Sequence, residues 1–310
     1  MIIPINLKTT TNKTKKRRMA RRNDLKSKLK LMVAMDLTEM DAILLKYVSF
    51  LSEVWNVEHI YFCHNIKQYK LEGLKDSFLD EDISIEKIIE KELHKSIASN
   101  YTAEVPHSLV LTSDDYTESI LTHLSKEYKI DLVLSGNKNE LQGTGALNQK
   151  LVRMLNTNVL LVPEKTKHQL KRVLVPTDFS ADSANSFEVT QTLVESSQGE
   201  IEALHVYTIS SFFFPYINTE KAIDKTEKQL NEKVKHFKKR YTNTAEVKFN
   251  FMDRKEFSIV EAIEKHADEN DFDIIVVSAR GGNKITSLFI GSVTNDLLIR
   301  NRKMPLLVIN

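Results

Sequence analysis

The chain alternates between two hydrophobic periods. Short apolar runs such as LMVAM at 31–35 and RVLVP at 172–176 have the length and composition of buried strands. The first run is followed by apolar residues at helical spacing, namely Met40, Ile43, Leu44, Tyr47, Val48, Leu51 and Val54. Strand and helix in repeated alternation predict an α/β fold with a doubly wound, mostly parallel sheet and helices on both of its faces.

The pattern occurs twice, at an offset of 142 residues. LKLMVAMDLT at 29–38 matches KRVLVPTDFS at 171–180, which aligns Asp36 with Asp178. A repeat of this length is the size of a whole domain. We therefore predict two tandem domains, at 29–166 and 167–310, each with a five-stranded sheet, after a basic extension at 1–28.

Composition agrees with two folded domains in a reducing compartment. The chain has 310 residues, of which 41% are hydrophobic, and this supports a core in each domain. Its single cysteine, Cys63, excludes a disulfide framework. The sequence contains no run of 18 apolar residues, and MIIPINL at the start is too short for the core of a signal peptide. We expect a cytoplasmic location.

The small net charge of +2 conceals an asymmetry. Residues 1–30 carry eleven Lys or Arg and a single acid, Asp24. Such a segment could bind nucleic acid or an anionic membrane surface through its charge. It contains no aromatic residue to stack on a base. We expect a disordered, solvated extension rather than a nucleic-acid-binding arm.

The loop SARGGNKITSLFIGS at 278–292 has the pattern of an anion-binding segment. Gly281 and Gly282 allow backbone conformations in which successive N–H groups turn inward. Gly291 and Ser292 then open a helix, whose amino terminus attracts anions. The Ser292 hydroxyl could donate to a phosphate oxygen or cap its own helix. In a doubly wound sheet the loop meets Asp178 at the carboxyl ends of the strands, where ligands bind.

These segments resemble the universal stress protein family. The resemblance rests on KRVLVPTDFS, LHV at 204–206, the S-x2-G-x9-G-S loop and the P-x-L-V strand at its end. Nucleotide-binding members of the family carry G-x2-G-x9-G-(S/T). The resemblance covers the chain from about residue 29 as two tandem domains, with the fold of the adenine nucleotide alpha hydrolases. It implies a stress-response protein that binds ATP or AMP, and Mg²⁺ could accompany the nucleotide.

The resemblance implies a nucleotide site made of ten residues of the second domain: Pro176, Thr177, Asp178, Val206, Val277, Ser278, Gly281, Gly291, Ser292 and Val293. Asp178 would lie close to the adenosine and Val206 against the adenine. Gly281, Gly291, Ser292 and Val293 would form the phosphate cradle. Ser278 departs from the family pattern, which has a glycine there, and its side chain would stand where a nucleotide approaches.

The first domain has lost part of this pattern. It keeps Asp36, His64 and Gly136, but Asn139 stands at the second family glycine and the loop is four residues shorter. Gly143-Thr144-Gly145 lacks the third glycine of a dinucleotide fingerprint and is typical of a tight turn into a helix. We expect one nucleotide site per chain, with the first domain as its structural partner.

The sequence predicts neither a metal site nor a catalytic residue. Its nine histidines show no metal-binding spacing, and it contains neither a G-x-S-x-G elbow nor a G-x4-G-K-(S/T) loop. We interpret His64 and His205, at the same repeat position, as packed or hydrogen-bonded residues. Catalysis would be at most a slow ATP hydrolysis.

Two functions remain open. The first is a regulatory protein that binds an adenine nucleotide in the second domain. The second is an interaction protein of the same fold, whose cleft is empty or holds an apolar ligand under the FFFPY segment at 212–216. In either case NVLLVPE at 158–164 could pair with PLLVIN at 305–310, so that the two domains form an intrachain pseudo-dimer. A homodimer of chains is compatible with both functions.

Overall fold

The computed structural model of the chain describes residues 28–67, 84–138, 146–195, 197–209, 219–280, 290–301 and 303–310. The basic extension up to residue 27, the FFFPY segment and the glycines at 143, 145, 281 and 282 lie outside the described residues. In the described part of the chain, no helix has both the length and the apolar character needed to span a membrane.

The described residues of the first half form five strands and four helices. In chain order they are β1 Leu29–Met35, α1 Glu39–Val54, β2 Val57–Ile66, α2 Ile85–Asn100, β3 His107–Ser113, α3 Thr117–Glu127, β4 Leu132–Asn137, α4 Ala146–Met154 and β5 Asn158–Pro163.

The second half repeats this order. Its elements are β6 Arg172–Pro176, α5 Ala181–Val194, β7 Glu200–Tyr207, α6 Thr219–Arg240, a 3-10 turn Thr242–Thr244, β8 Lys248–Asp253, α7 Ile259–Glu269, β9 Ile274–Ser278, α8 Ser292–Arg300 and β10 Leu306–Ile309.

The ten strands of the described residues form one continuous sheet, in the order β3-β2-β1-β4-β5-β10-β9-β6-β7-β8. The strands within each half are parallel, whereas β5 and β10 pair antiparallel, with Leu161 opposite Leu306. The predicted α/β fold is confirmed. Because the two halves meet antiparallel, the carboxyl ends of β1–β4 and of β6–β9 lie on opposite sides of the molecule.

Helices cover both faces of this sheet, as the sequence predicts. One core packs α1, α2, α5 and α6 on the first face, around residues such as Leu44, Leu93 and Phe187. The other packs α3, α4, α7 and α8 on the second face, around residues such as Leu121 and Leu297. Both cores run across the β5–β10 junction, and therefore the apolar layers of the two halves are shared.

Side chains also connect the halves. The indole Nε1 of Trp55, after α1, donates to the carbonyl oxygen of Leu193 in α5 at 2.9 Å. Phe50 stacks on His168 of the connecting segment, with ring centroids 5.7 Å apart. The Asn137 amide donates to the carbonyl oxygen of Asn301 after α8. Apolar and polar contacts both join the halves.

The first strand of each half ends in the same turn. Leu37 and Phe179 adopt left-handed backbone conformations, with φ of 61° and 62°. Thr38 and Ser180 then cap α1 and α5, and each side chain accepts from a backbone N–H of the first helical turn. A left-handed conformation is unfavourable for a residue with a Cβ, so its repetition shows that the fold requires this sharp turn.

Candidate functional site

The second half contains a cleft of about 450 Å³, bounded by the carboxyl ends of β6, β7 and β9 and by the start of α8. We call it the second-half cleft. Nine of the ten residues predicted for the nucleotide site line it, and Gly281 lies outside the described residues. The topology therefore brings together residues that are more than 100 positions apart in the sequence.

The amino terminus of α8 forms one end of the second-half cleft. Gly291 is the N-cap, has no side chain to accept from the helix, and donates its own N–H to the Ala279 carbonyl at 2.8 Å. The first turn of α8 contains no acidic residue. The N–H groups at a helix start have no partners within the helix, and they attract an anion when no acid occupies the place. The suggestion that Ser292 caps this helix is wrong, because Ser292 is its first helical residue.

Ser278 is held by the backbone around it. Its hydroxyl donates to the Arg280 carbonyl at 2.5 Å, and its carbonyl accepts from the Thr294 hydroxyl at 2.7 Å. The side chain that replaces the family glycine lines the cleft, yet its hydrogen bond directs the hydroxyl to the start of the loop. The substitution thus fixes local backbone in addition to adding bulk.

The turn after β6 presents the carboxylate of Asp178. The Thr177 N–H donates to the Leu204 carbonyl at 2.9 Å, and the Thr177 hydroxyl lies 2.9 Å from the Ser183 hydroxyl. The Asp178 carboxylate accepts from the N–H of Ser180 at 3.0 Å. These bonds fix the backbone on both sides of Asp178, and its carboxylate is positioned at the cleft wall.

His205 is a packed residue, as expected. Its Nδ1 lies 2.8 Å from the carbonyl oxygen of Thr177, and since a carbonyl only accepts, Nδ1 carries the proton. Burial lowers the pKa of His205, against the opposing effect of this hydrogen bond. His64 makes the same bond to the Met35 carbonyl at 2.9 Å. The repeated histidine therefore ties the second strand of each half to the end of the first.

The cleft also has an apolar wall that sequence reasoning missed. Ile259 and Ile263 of α7 and Ile290 before α8 line it beside Val206 and Val277. Ile259 is 42% exposed and lies at the start of α7. This wall suits a flat apolar ligand surface, and the neighbouring α8 terminus suits an anionic one.

The equivalent cleft of the first half has a volume of about 680 Å³, and two of its lining residues form an ion pair. We call it the first-half cleft. Lys138 forms an ion pair with Asp36, the counterpart of Asp178. Met40 packs on Gly136 so closely that a Cβ at Gly136 would lie 2.4 Å from the Met40 Cγ. The glycine is thus explained by a neighbouring side chain, without a ligand.

The walls of the two clefts differ in polarity. The positions of Val206, Ile259 and Val277 are taken in the first half by Asn65, Thr117 and Ser135. The Asn65 amide donates to the Thr117 hydroxyl at 3.0 Å, and the Ser135 hydroxyl donates to Asn148 at 2.9 Å. These polar groups bind each other, whereas the wall of the second-half cleft is apolar.

A buried carboxylate supports the turn of the first half. The two oxygens of Asp41 accept from the N–H groups of Asp36 and Leu37, both at 2.9 Å. Burial, outweighing these hydrogen bonds, raises the pKa of Asp41 from 3.8 to about 6. Its counterpart in the second half is Ser183. In the described residues, no cluster of three or more His, Cys, Asp or Glu side chains could hold a metal ion.

Comparison with known proteins finds a family that resembles the second half of the chain. The fold is that of a doubly wound α/β protein with a cleft at the strand ends. Residues 169–310 match the model of the universal stress protein family. Residues 169–310 are thus similar to the universal stress protein family. No curated protein matches it in sequence.

Solved structures share the fold over nearly the whole chain. A putative universal stress protein from Pseudomonas aeruginosa has a TM-score of 0.61 at 11% identity and covers 93% of this chain and 95% of its own. A universal stress protein from Archaeoglobus fulgidus has a TM-score of 0.58 at 17% identity, over 90% of this chain and 97% of its own. A functionally unknown protein from Pseudomonas aeruginosa has a TM-score of 0.63 at 11% identity, over 93% and 94%. At these identities, the likeness concerns the fold.

Proposed function

We propose that this protein is a regulatory stress-response protein that binds an adenine nucleotide, ATP or AMP, in the second-half cleft. One observation carries the proposal. The α8 terminus, which lacks an acidic residue in its first turn, shares one cleft with the apolar wall at Val206 and Val277. A nucleotide has the matching parts, because its base is flat and largely apolar and its phosphates are anionic.

The individual contacts follow from this orientation. The phosphates would bind at Gly291, Ser292 and Val293, together with Gly281 of the loop. The base would lie against Val206 and Val277, and the Asp178 carboxylate would accept from ribose hydroxyls. Pro176 and Thr177 fix the strand end that presents Asp178, and Ser278 fixes the start of the loop.

The proposed role is binding with little catalysis. Phosphoryl transfer needs a positioned nucleophile and, in most enzymes, a metal ion held by carboxylates. His205 uses Nδ1 in a structural hydrogen bond, and Asp178 is the carboxylate among the residues that line the cleft. We therefore expect ATP turnover to be slow. Regulation would require that the nucleotide favour one state of the cleft over another.

The domain organisation is part of the proposal. We propose a domain boundary between β5 and β6, with 29–166 as a structural partner and 167–310 as the binding domain. The β5–β10 pairing would then serve as the intrachain contact of a pseudo-dimer. We also propose that the protein is cytoplasmic.

A second candidate function is favoured by the apolar wall. Ile259, Ile263 and Ile290 could hold an apolar ligand that has no phosphate, and the protein would then be an interaction protein. The two candidates differ in whether the α8 terminus takes part in binding.

Calorimetric titration of the full chain with ATP, AMP and adenosine separates them. Nucleotide binding predicts tighter binding of ATP or AMP than of adenosine, and loss of that preference in Gly291→Asp. The Gly291 backbone, with φ of −59°, accepts an aspartate without strain, so the variant keeps its fold. Absence of any nucleotide affinity at millimolar concentration in the wild type would overturn the proposal.

A further inference from the structure

One buried hydroxyl joins the start of α8 to the end of β9. Thr294 is the third residue of α8 and is 5% exposed. Its hydroxyl donates to the Ser278 carbonyl at 2.7 Å. The first turn of α8 lies between this bond and Gly291, whose N–H is bound to Ala279 at 2.8 Å. The two bonds together fix the helix terminus against the strand that carries the apolar wall.

The first half contains the same connection, made with a different side chain. Asn148 is the third residue of α4, and its amide donates to the Gly136 carbonyl at 3.0 Å. Its Oδ1 also accepts from the Ser135 hydroxyl at 2.9 Å. The second half has Val277 at the position of Ser135, and a valine offers no such donor. Thr294 therefore holds its helix with one side-chain bond where Asn148 uses two.

We propose that Thr294 is a positioning residue for the anion-binding end of the second-half cleft. This inference rests on the proposed function. An anion bound by backbone N–H groups is sensitive to their direction, and a functional site needs its groups held to within about 0.5 Å. Thr294 acts through α8, since its own hydroxyl is committed to Ser278. Its removal should weaken the binding of phosphates and leave the base and ribose contacts unchanged.

Two variants of the full chain test this role. Thr294→Val removes the hydroxyl at similar volume, and Thr294→Ser retains it. In calorimetric titrations we expect Thr294→Val to lower the affinity for ATP and AMP by about three- to tenfold, because a lost positioning bond is worth about 1 kcal/mol. The affinity for adenosine should stay within about twofold of the wild-type value. Thr294→Ser should bind all three ligands like the wild type. The inference is overturned if Thr294→Val weakens adenosine binding as much as ATP binding, or if it leaves the affinity for ATP and AMP unchanged.

A ligand-free measurement separates this inference from the nucleotide proposal. The Asn295 N–H, bonded to the Gly291 carbonyl at 2.8 Å, reports on the first turn of α8 by hydrogen exchange. Thr294→Val should speed its exchange severalfold, whereas Asn148→Ala, the matched change in the first half, should not. Unchanged exchange in Thr294→Val overturns the inference even where nucleotides bind. If the wild type binds no nucleotide, the proposed function fails and this measurement still decides whether Thr294 fixes the helix.

Discussion

The two clefts occupy the same place in two copies of one fold, yet their polar groups are used differently. In the first-half cleft, Lys138 pairs with Asp36, and Asn65 bonds to Thr117. In the second-half cleft the corresponding wall is apolar and the α8 terminus has no acid in its first turn. The first-half cleft is the larger, but the polar groups of its wall at Asn65 and Ser135 bond to neighbouring side chains.

The cores of the two halves also differ in their side chains. The second half packs the aromatic rings of Phe187, Phe237 and Phe249 together, with centroids about 6 Å apart, whereas Leu45 takes the place of Phe187 in the first half. Although the two halves differ in sequence, they share both apolar layers and one continuous sheet. Separate clefts therefore coexist with a common core.

The largest expected effect tests whether the halves unfold together. Phe187→Ala should reduce the free energy of unfolding by about 3–5 kcal/mol, because it leaves a cavity among buried rings. Trp55, the single tryptophan, belongs to the first half and bonds to Leu193 of the second. Its fluorescence should thus report the same shifted midpoint in urea as circular dichroism does.

Leu45→Ala is the matched change in the first half, with an expected loss of about 2–5 kcal/mol. Leu45→Ala should also shift the urea midpoints of fluorescence and circular dichroism equally. A fluorescence midpoint that does not move in Phe187→Ala would show that the halves unfold separately, and the shared core would then contribute little to their cooperativity.

The second prediction is that the turn after β1, which Asp41 supports, makes stability depend on pH, whereas the turn after β6 does not. The pKa of Asp41 is about 6 in the folded chain against 3.8 ordinarily, so the folded state binds more protons between these values and gains stability as pH falls. From pH 7 to pH 4, the wild type should gain up to about 3 kcal/mol relative to Asp41→Asn, at about 1.4 kcal/mol per pKa unit.

Urea unfolding of the wild type, Asp41→Asn and Ser183→Ala between pH 4 and pH 7 measures how the free energy of unfolding changes with pH. Ser183, the counterpart of Asp41, does not ionise between pH 4 and 7, so Ser183→Ala should run parallel to the wild type. Parallel curves for Asp41→Asn would show that the Asp41 carboxyl has an ordinary pKa.

The third prediction concerns ATP affinity after the same charge is added at the start of α8 or of α4, the helices that begin at the two clefts. Ser292 and Ala146 are both exposed first residues of a helix, at matching positions of α8 and α4. An aspartate at either place is favourable for the helix, so both variants should fold. Ser292→Asp should weaken ATP binding at least about tenfold by placing a negative charge at the anion site.

Ala146→Asp provides the control, because it adds the same charge to the first-half cleft. Titration with ATP should give the wild-type affinity and stoichiometry. Equal weakening by both variants would contradict a single site per chain and would indicate that net charge, rather than a local contact, governs binding.

Much of this organisation could be predicted from the sequence because it depends on local periodicity and on repetition. The strands and the convergence of Asp178, Val206 and Gly291 follow from those signals. The apolar wall from α7 could not be predicted, since Ile259 resembles any other apolar residue at a helix start. The Lys138–Asp36 pair also depends on the placement of two distant segments, which periodicity does not give.

The smallest effect concerns the cation at the mouth of each cleft. Arg280 lines the second-half cleft, and Lys138 holds the matching position in the first half, where it pairs with Asp36. Arg280→Met should weaken ATP about threefold and AMP less, and the loss should shrink at high salt because ions screen a charge at a cleft mouth. Lys138→Met should leave nucleotide affinity unchanged and cost about 1 kcal/mol of stability or less. If Lys138→Met instead creates a second ATP site in titrations, the ion pair with Asp36 is what prevents nucleotide binding in the first-half cleft, and the proposal of a single site per chain is contradicted.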